Sequence, residues 1–255
     1  MPELGFPNKS TPHGNAAYYV CRLAESSKRD ALANLFLLKQ ELTDLYAMQD
    51  PGVARLKLQW WQQQFQNTNS VHPLVVALQQ TLSHQAKSHI IEMLNTIDRQ
   101  LHRQAPNDLD ALLQMMANSG GHFAQLINHI EQVENNPQAI IAGQWIFLIE
   151  HLQLMGRRLR EDIRLLPPNL QSQHQLAKHS LISDESALQK LLMDLVEQII
   201  AELPLPKLKK KSSLNRYLQL QLQLLSLLKK EQFAVYQQKI SLTPLGKLWI
   251  AWRFS

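Results

Sequence analysis

The chain has 255 residues, 45% of them hydrophobic and 18% charged, which supports one large buried core and excludes wholesale disorder. Its 26 Lys and Arg against 21 Asp and Glu leave a formal net charge of +5, which permits attraction to an anionic membrane face or to diphosphate ligands but identifies neither. Cys21 is the only cysteine, so disulfide frameworks and Cys-rich metal centres are excluded, and a reducing compartment is the natural setting.

Only 8 glycines are present, whereas Leu, Gln and Ala abound; this favours helices over a strand-and-turn architecture. The opening MPELGFPNKSTPHG has neither an apolar run nor a basic leader, so no secretory signal is expected. Residues 1–14 read as a flexible arm and residues 15–255 as one helical domain. Tyr18, Tyr19 and Leu23 belong to a first helical piece. Ser27, with Asp30 three residues on, is an expected cap for a second helix, whose stripe is Ala31, Leu32, Leu35, Leu38 and Leu42. Asp50-Pro51 restarts the chain with a capping Asp and Pro at the first helical position. That helix holds Leu58, Trp60, Trp61 and Phe65.

Further helices are predicted over about 72–85 and 89–103. Asn107 is the expected cap of a helix that Gly120-Gly121 interrupts, and paired glycines there mark a kink or a close approach. Asn136-Pro137 starts a long apolar helix to about Arg160, and Pro167-Pro168 closes it. A polar loop is expected over 169–180, then helices over about 184–203, 215–230 and 233–239. Thr243-Pro244 caps a last one, LGKLWIAWRF. No window reaches the ~20 apolar residues of a membrane span. The longest candidate, Ile140 to Leu154, carries Gln144, Glu150, His151 and Gln153 and reads as a buried helix. With no strand pair and no repeat, the fold class is all-α in a single domain.

Motifs for hydrolase, NTPase and dinucleotide chemistry are missing: the sequence holds no GxSxG, P-loop or GxGxxG, and no HExxH among its 10 histidines. Nucleic-acid binding has only the mild basic charge in its favour, so no nucleic acid is expected as a partner.

The order of the pieces resembles the squalene/phytoene synthase family. The likeness runs from about residue 13 to 255 through an aromatic pair (Tyr18-Tyr19) before Lys28-Arg29-Asp30-Ala31, the segment LKLQWWQQQF, the run HPLVVAL from His72 to Leu78, the glycine-interrupted helix at Asn118-Ser119-Gly120-Gly121, and the terminal DIRLLP. Each motif is weak alone; their order and spacing carry the likeness. It implies an isoprenoid-synthase-type helical bundle around a central cavity. It also implies condensation of prenyl diphosphates, with Mg²⁺ held by two aspartate motifs on facing helices. Magnesium requires such oxygen ligands.

The resemblance assigns the first motif to Thr43-Asp44-Leu45-Tyr46-Ala47, so Thr43 and Ala47 stand where metal-facing aspartates belong and only Asp44 remains. Gln40 stands at an expected arginine, and Phe36 at a cavity-facing aromatic. The second motif falls on Glu150, Leu154 and Arg158, where an apolar group and a cation cannot bind Mg²⁺. A slipped register could recruit Glu150, Glu161 or Asp162, but the last two sit among Arg157, Arg158, Arg160 and Arg164, where ion pairing is the simpler use. His13 matches a polar diphosphate contact. Glu41 and Asp44, three apart, are the carboxylates left for catalysis if any persists.

The expectation is therefore a non-catalytic member similar to the branch that includes the mitochondrial respiratory complex I assembly factor. It would bind a prenyl diphosphate or lipid, or a respiratory or other membrane-complex subunit, with no cofactor. Its expected ligand-binding residues are His13, Phe36, Gln40, Glu150, Arg157 and Arg158. Its location would be cytoplasmic, with peripheral contact at the inner membrane face through the Lys207–Lys211 run and the terminal Trp and Phe residues. The alternative is an active Mg²⁺-dependent prenyltransferase with a rearranged site using Asp44 and Glu41.

Overall fold

Side-chain caps and N-terminal prolines set most of the helix starts. The computed structural model describes residues 3–48, 50–102, 104–133, 136–160, 165–176, 181, 183–236 and 239–255. Helix α1 (Ala16–Arg22) begins where Asn15 accepts a bond from the Tyr18 amide. Helix α2 (Ser26–Thr43) runs into a 3₁₀ turn, Asp44–Ala47. Ser27 is not its cap: the Ser27 hydroxyl donates to Glu25 Oε1 at 3.0 Å, and the helix begins one residue earlier. Asp50 caps α3 (Pro51–Gln66) through the Gly52 and Val53 amides, as its Asp-Pro signal predicts.

The helix expected over 72–85 is α4 (Pro73–Thr81), which stops short because Ser83 caps α5 (His84–Leu101) through the Ala86 amide. Asp108, not Asn107, caps α6 (Leu109–Met116), its carboxylate accepting from the Ala111 amide at 2.8 Å. Ala117–Gly121 form a π-helical turn leading into α7 (His122–Glu131). Asn136 caps α8 (Pro137–Gln153), and α9 (Met155–Arg160) follows after a break at Leu154. Helix α10 (Pro168–Gln173) occupies part of the stretch expected to be loop. Asp184 caps α11 (Glu185–Glu202), Ser212 caps α12 (Ser213–Lys230) and Thr243 caps α13 (Pro244–Arg253).

The short helix expected from Phe233 is a turn through the described residues to Tyr236. Gln232 and Phe233 adopt left-handed φ of 50° and 54°, and the Phe233 amide bonds back to the Leu228 carbonyl at 2.8 Å, closing α12 rather than starting a new helix. No strand occurs among the described residues.

Helix α8 is the axis of the bundle. Ala139, Ala142, Trp145, Ile146, Ile149 and Leu152 are all buried on it, because α7, α12 and the π-helical turn cover it on several sides. The π turn touches α8 backbone to backbone. A Cβ on Gly143 would lie 2.0 Å from the Gly120 carbonyl oxygen, and one on Gly120 would lie 2.1 Å from the Gly143 carbonyl oxygen. Only glycine fits either position, which explains the glycine-interrupted helix.

Residues 3–14, expected as a flexible arm, are bonded onto α2. The Gly5 amide donates to Asn34 Oδ1 at 2.8 Å, and Asn8 Nδ2 donates to the Ala33 carbonyl at 3.1 Å. Asn8, Ser10 and Thr11 are buried there. Short polar side chains satisfy one another and the α2 backbone, an order that composition alone does not reveal.

Candidate functional site

A cavity of about 390 Å³ opens between α2, α8 and α12. From α2 come Phe36, Lys39, Gln40 and Thr43, a helical spacing of three and four that puts them on one face. From α8 come Phe147, Glu150 and His151, with Leu154 and the α9 residue Arg158 below them. Tyr217 and Gln221 enter from α12, and Lys239 from the connection before α13. The apolar wall includes Met93 and Ile97 of α5 and Phe123 of α7.

The polar centre is a lysine held by a carboxylate. Lys39 Nζ lies 2.6 and 2.7 Å from the two Glu150 oxygens and 3.2 Å from the Tyr217 hydroxyl, and that hydroxyl also bonds Glu150. The ammonium lies 4.5 Å from the Phe123 ring centroid and 5.2 Å from that of Tyr217, so aromatic faces supplement the carboxylate. Burial, then the adjacent Glu150 charge, pushes the Tyr217 phenol well above its ordinary value. It stays protonated and can donate to Glu150.

A second cation lies deeper. Arg158 is buried, its guanidinium 4.4 Å from the Tyr46 ring centroid, and the Tyr46 hydroxyl bonds Gln100 Oε1. His151 stacks on Phe147 at 3.8 Å, with Nδ1 2.7 Å from the Phe147 carbonyl. Burial, reinforced by Arg158, drops its pKa to about 3, so at neutral pH it is an uncharged imidazole whose Nδ1 carries the proton given to that carbonyl.

A smaller cavity of about 250 Å³ adjoins the first and shares Asn15, Ala16, Gln153, Gln221 and Lys239 with it. Lys247 of α13 lines it too, donating to the Gly14 carbonyl at 2.9 Å.

The residues singled out in the sequence divide. Phe36, Gln40, Asp44, Glu150 and Arg158 line the main cavity, as do Thr43 and Leu154; Ala47 does not. Glu41 turns away to Lys9 and to Lys57, the latter at 3.4 Å. Burial raises its pKa, but Lys9 and Lys57 outweigh that and the net shift is downward. His13 is exposed and packs its ring 4.4 Å from Tyr18, away from the cavity wall. Arg157 is exposed and outside the lining. Glu161, Asp162 and Arg164 lie outside the described residues. No group of three or more His, Cys, Asp or Glu converges on a metal-sized space among the described residues. Among the described residues, Asp44 and Glu150 are the carboxylates that line the cavity, and Glu150 is held by Lys39.

Lys39, Tyr46, His151 and Tyr217 were not singled out in the sequence. Lys39 had a signal, one helical turn before Thr43 and thus on the same face; Tyr217 had none, because its bonding partners Glu150 and Lys39 lie 67 and 178 residues away in the chain.

The squalene/phytoene synthase family model matches residues 11–203. The chain belongs to that family. Among solved structures, a dehydrosqualene synthase in complex with ligand is similar over 94% of this chain and 90% of its own, with a TM-score of 0.75 and 14% identity. YisP from Bacillus subtilis subsp. subtilis strain 168 is similar over 92% of this chain and 89% of its own, with a TM-score of 0.58 and 14% identity. A search of the curated proteins by sequence finds no match. At this identity the two structures establish a shared fold, the helical bundle around a cavity, while the family membership rests on the matched sequence. The member described here has cations, Lys39 and Arg158, on the two facing cavity walls.

Proposed function

We propose that this family member binds an amphiphilic anion, a prenyl diphosphate or related lipid, in the main cavity without metal and without turning it over. The carrying observation is the Lys39–Glu150 pair, an ammonium fixed at 2.6 Å between the two helices to which the resemblance assigns metal-binding aspartates. The half-buried ammonium is shared with Glu150, so in this reading an anionic head group takes the place of that carboxylate beside Lys39 and needs no aspartate cluster. Arg158, buried in the lining over the Tyr46 ring, is a second cationic group beside that site. Phe36, Phe123, Met93 and Ile97 would receive the apolar chain. The dehydrosqualene synthase of the same fold, crystallised with a ligand, supports a ligand-holding cavity.

In this reading the protein serves the assembly or maintenance of a membrane complex, in the manner expected of a non-catalytic branch. The competing reading is a prenyltransferase that uses Asp44 with a rearranged Mg²⁺ site; Asp44 at the cavity wall is the observation in its favour. Titration calorimetry with farnesyl and geranylgeranyl diphosphate, with Mg²⁺ or with EDTA, distinguishes the two. The expected result is binding that EDTA leaves unchanged, weakened by Arg158→Leu, with no diphosphate released. Mg²⁺-dependent release that Asp44→Ala abolishes would establish the prenyltransferase instead.

A further inference from the structure

Helix α13 is apolar on two opposite faces. Ile250 and Ala251 are buried against the bundle, where α13 packs on α12 and α1. Leu245, Leu248, Trp249 and Trp252 follow the i, i+3, i+4, i+7 spacing of a single helical stripe, yet they are 79%, 39%, 57% and 65% exposed. An exposed stripe holding two tryptophans is not needed to fold the helix, since its opposite face already supplies the core contact.

The charged side chains of the C-terminal segment are of one sign. From Gln232 to Ser255 the chain carries Lys239, Lys247 and Arg253 and no acidic side chain. The Arg253 guanidinium lies 5.4 Å from the Trp249 ring centroid and 6.0 Å from that of Phe254, so cation and indole share one edge of the stripe. Aliphatic and indole groups on one face with cations beside them suit the boundary between lipid head groups and acyl chains. No helix among the described residues is long and apolar enough to cross a membrane, so this contact lies along the surface.

We propose that the outer face of α13 docks on an anionic lipid bilayer, with Leu245, Leu248, Trp249 and Trp252 entering the interface and Arg253 meeting lipid phosphates. Lys239 and Lys247 line the smaller cavity that adjoins the main one. The docking itself does not depend on whether the main cavity binds a ligand.

Vesicle co-sedimentation of the full chain tests the idea, comparing phosphatidylcholine alone with phosphatidylcholine containing a third phosphatidylglycerol. Wild type is expected to pellet with the anionic vesicles, with a blue shift in tryptophan emission. The Trp249→Ser/Trp252→Ser double variant is expected to partition at least roughly tenfold less, and Arg253→Gln severalfold less. Val71→Ser, at an isolated exposed apolar residue, should leave partitioning unchanged. Circular dichroism and melting curves confirm that each variant folds. Equal partitioning of wild type and the double variant would refute the proposal. So would binding indifferent to phosphatidylglycerol, or a stable dimer that Trp249→Ser/Trp252→Ser dissociates and that does not bind vesicles.

Discussion

Lys39 of α2 and Glu150 of α8, 111 positions apart, form an ion pair of 2.6 Å across the central cavity. Both side chains are little more than a fifth exposed, so each charge depends on the other. Removing Glu150 leaves an ammonium in a partly dry site beside Tyr217, whereas removing Lys39 leaves a carboxylate with the Tyr217 hydroxyl still bonded to it. Glu150→Ala is therefore expected to cost about 2 kcal/mol and Lys39→Met less. A double-mutant cycle by urea unfolding should give a coupling of roughly 1 kcal/mol; additive effects would contradict the pair.

The contact between the π turn and α8 leaves no room for a methyl group. Gly120→Ala and Gly143→Ala each set a Cβ about 2 Å from a backbone oxygen that neither helix can withdraw. Each is expected to lower stability by about 3 kcal/mol or more. Gly121→Ala meets Ile140 Cγ2 at 2.9 Å and the Ile140 Cα at 3.5 Å but no backbone oxygen as near, and should cost less. Chemical denaturation of the three variants tests the ranking.

Two histidines predict a loss of stability in mild acid. Burial lowers His151 to about 3, with Arg158 and Lys39 adding to the effect. Burial, with His122 and His129 beside it, lowers His89 to about 4. Below the ordinary value of about 6.5 the unfolded chain takes up protons that the folded chain refuses. Their contribution is complete above that pH and falls as pH drops toward the folded values. The slope is at most about 1.4 kcal/mol per pH unit for each group, and less for the more exposed His89. Urea midpoints between pH 7 and 4.5 should decrease, and His151→Leu should flatten the decrease.

Cys21 is fully buried on α1, and burial pushes its thiol up to about 12. The thiolate that reacts with disulfide reagents is then scarce, and access is closed as well. Ellman's reagent should label the folded protein no faster than it opens, and label it fully in denaturant.

Helix boundaries were legible wherever a capping side chain preceded proline: Asp50-Pro51, Asn136-Pro137 and Thr243-Pro244 each behave as read. They were misread where two candidates competed locally. Asp108 displaces Asn107, and Ser27 bonds Glu25 instead of capping α2, because the choice turns on backbone angles that sequence spacing does not set. The polar N-terminal segment gave no apolar signal, so its attachment to α2 through Asn8 and Asn34 could not be foreseen.

What the sequence by itself determined is the all-helical class, since apolar periodicity and breakers act locally along the chain, and the family, through the order and spacing of its motifs; the resemblance, and not periodicity, pointed to the stretches of α2 and α8 that meet across the cavity. Tertiary structure alone decided how those stretches are used. It turned Glu41 outward to Lys9 and Lys57 and kept Glu150 inward for Lys39 and Tyr217. It also buried Arg158 against Tyr46 and left the Trp249–Trp252 face of α13 in solvent. Charge partners are chosen by distance in space and by which groups lose their water together, and neither is written in the order of the residues.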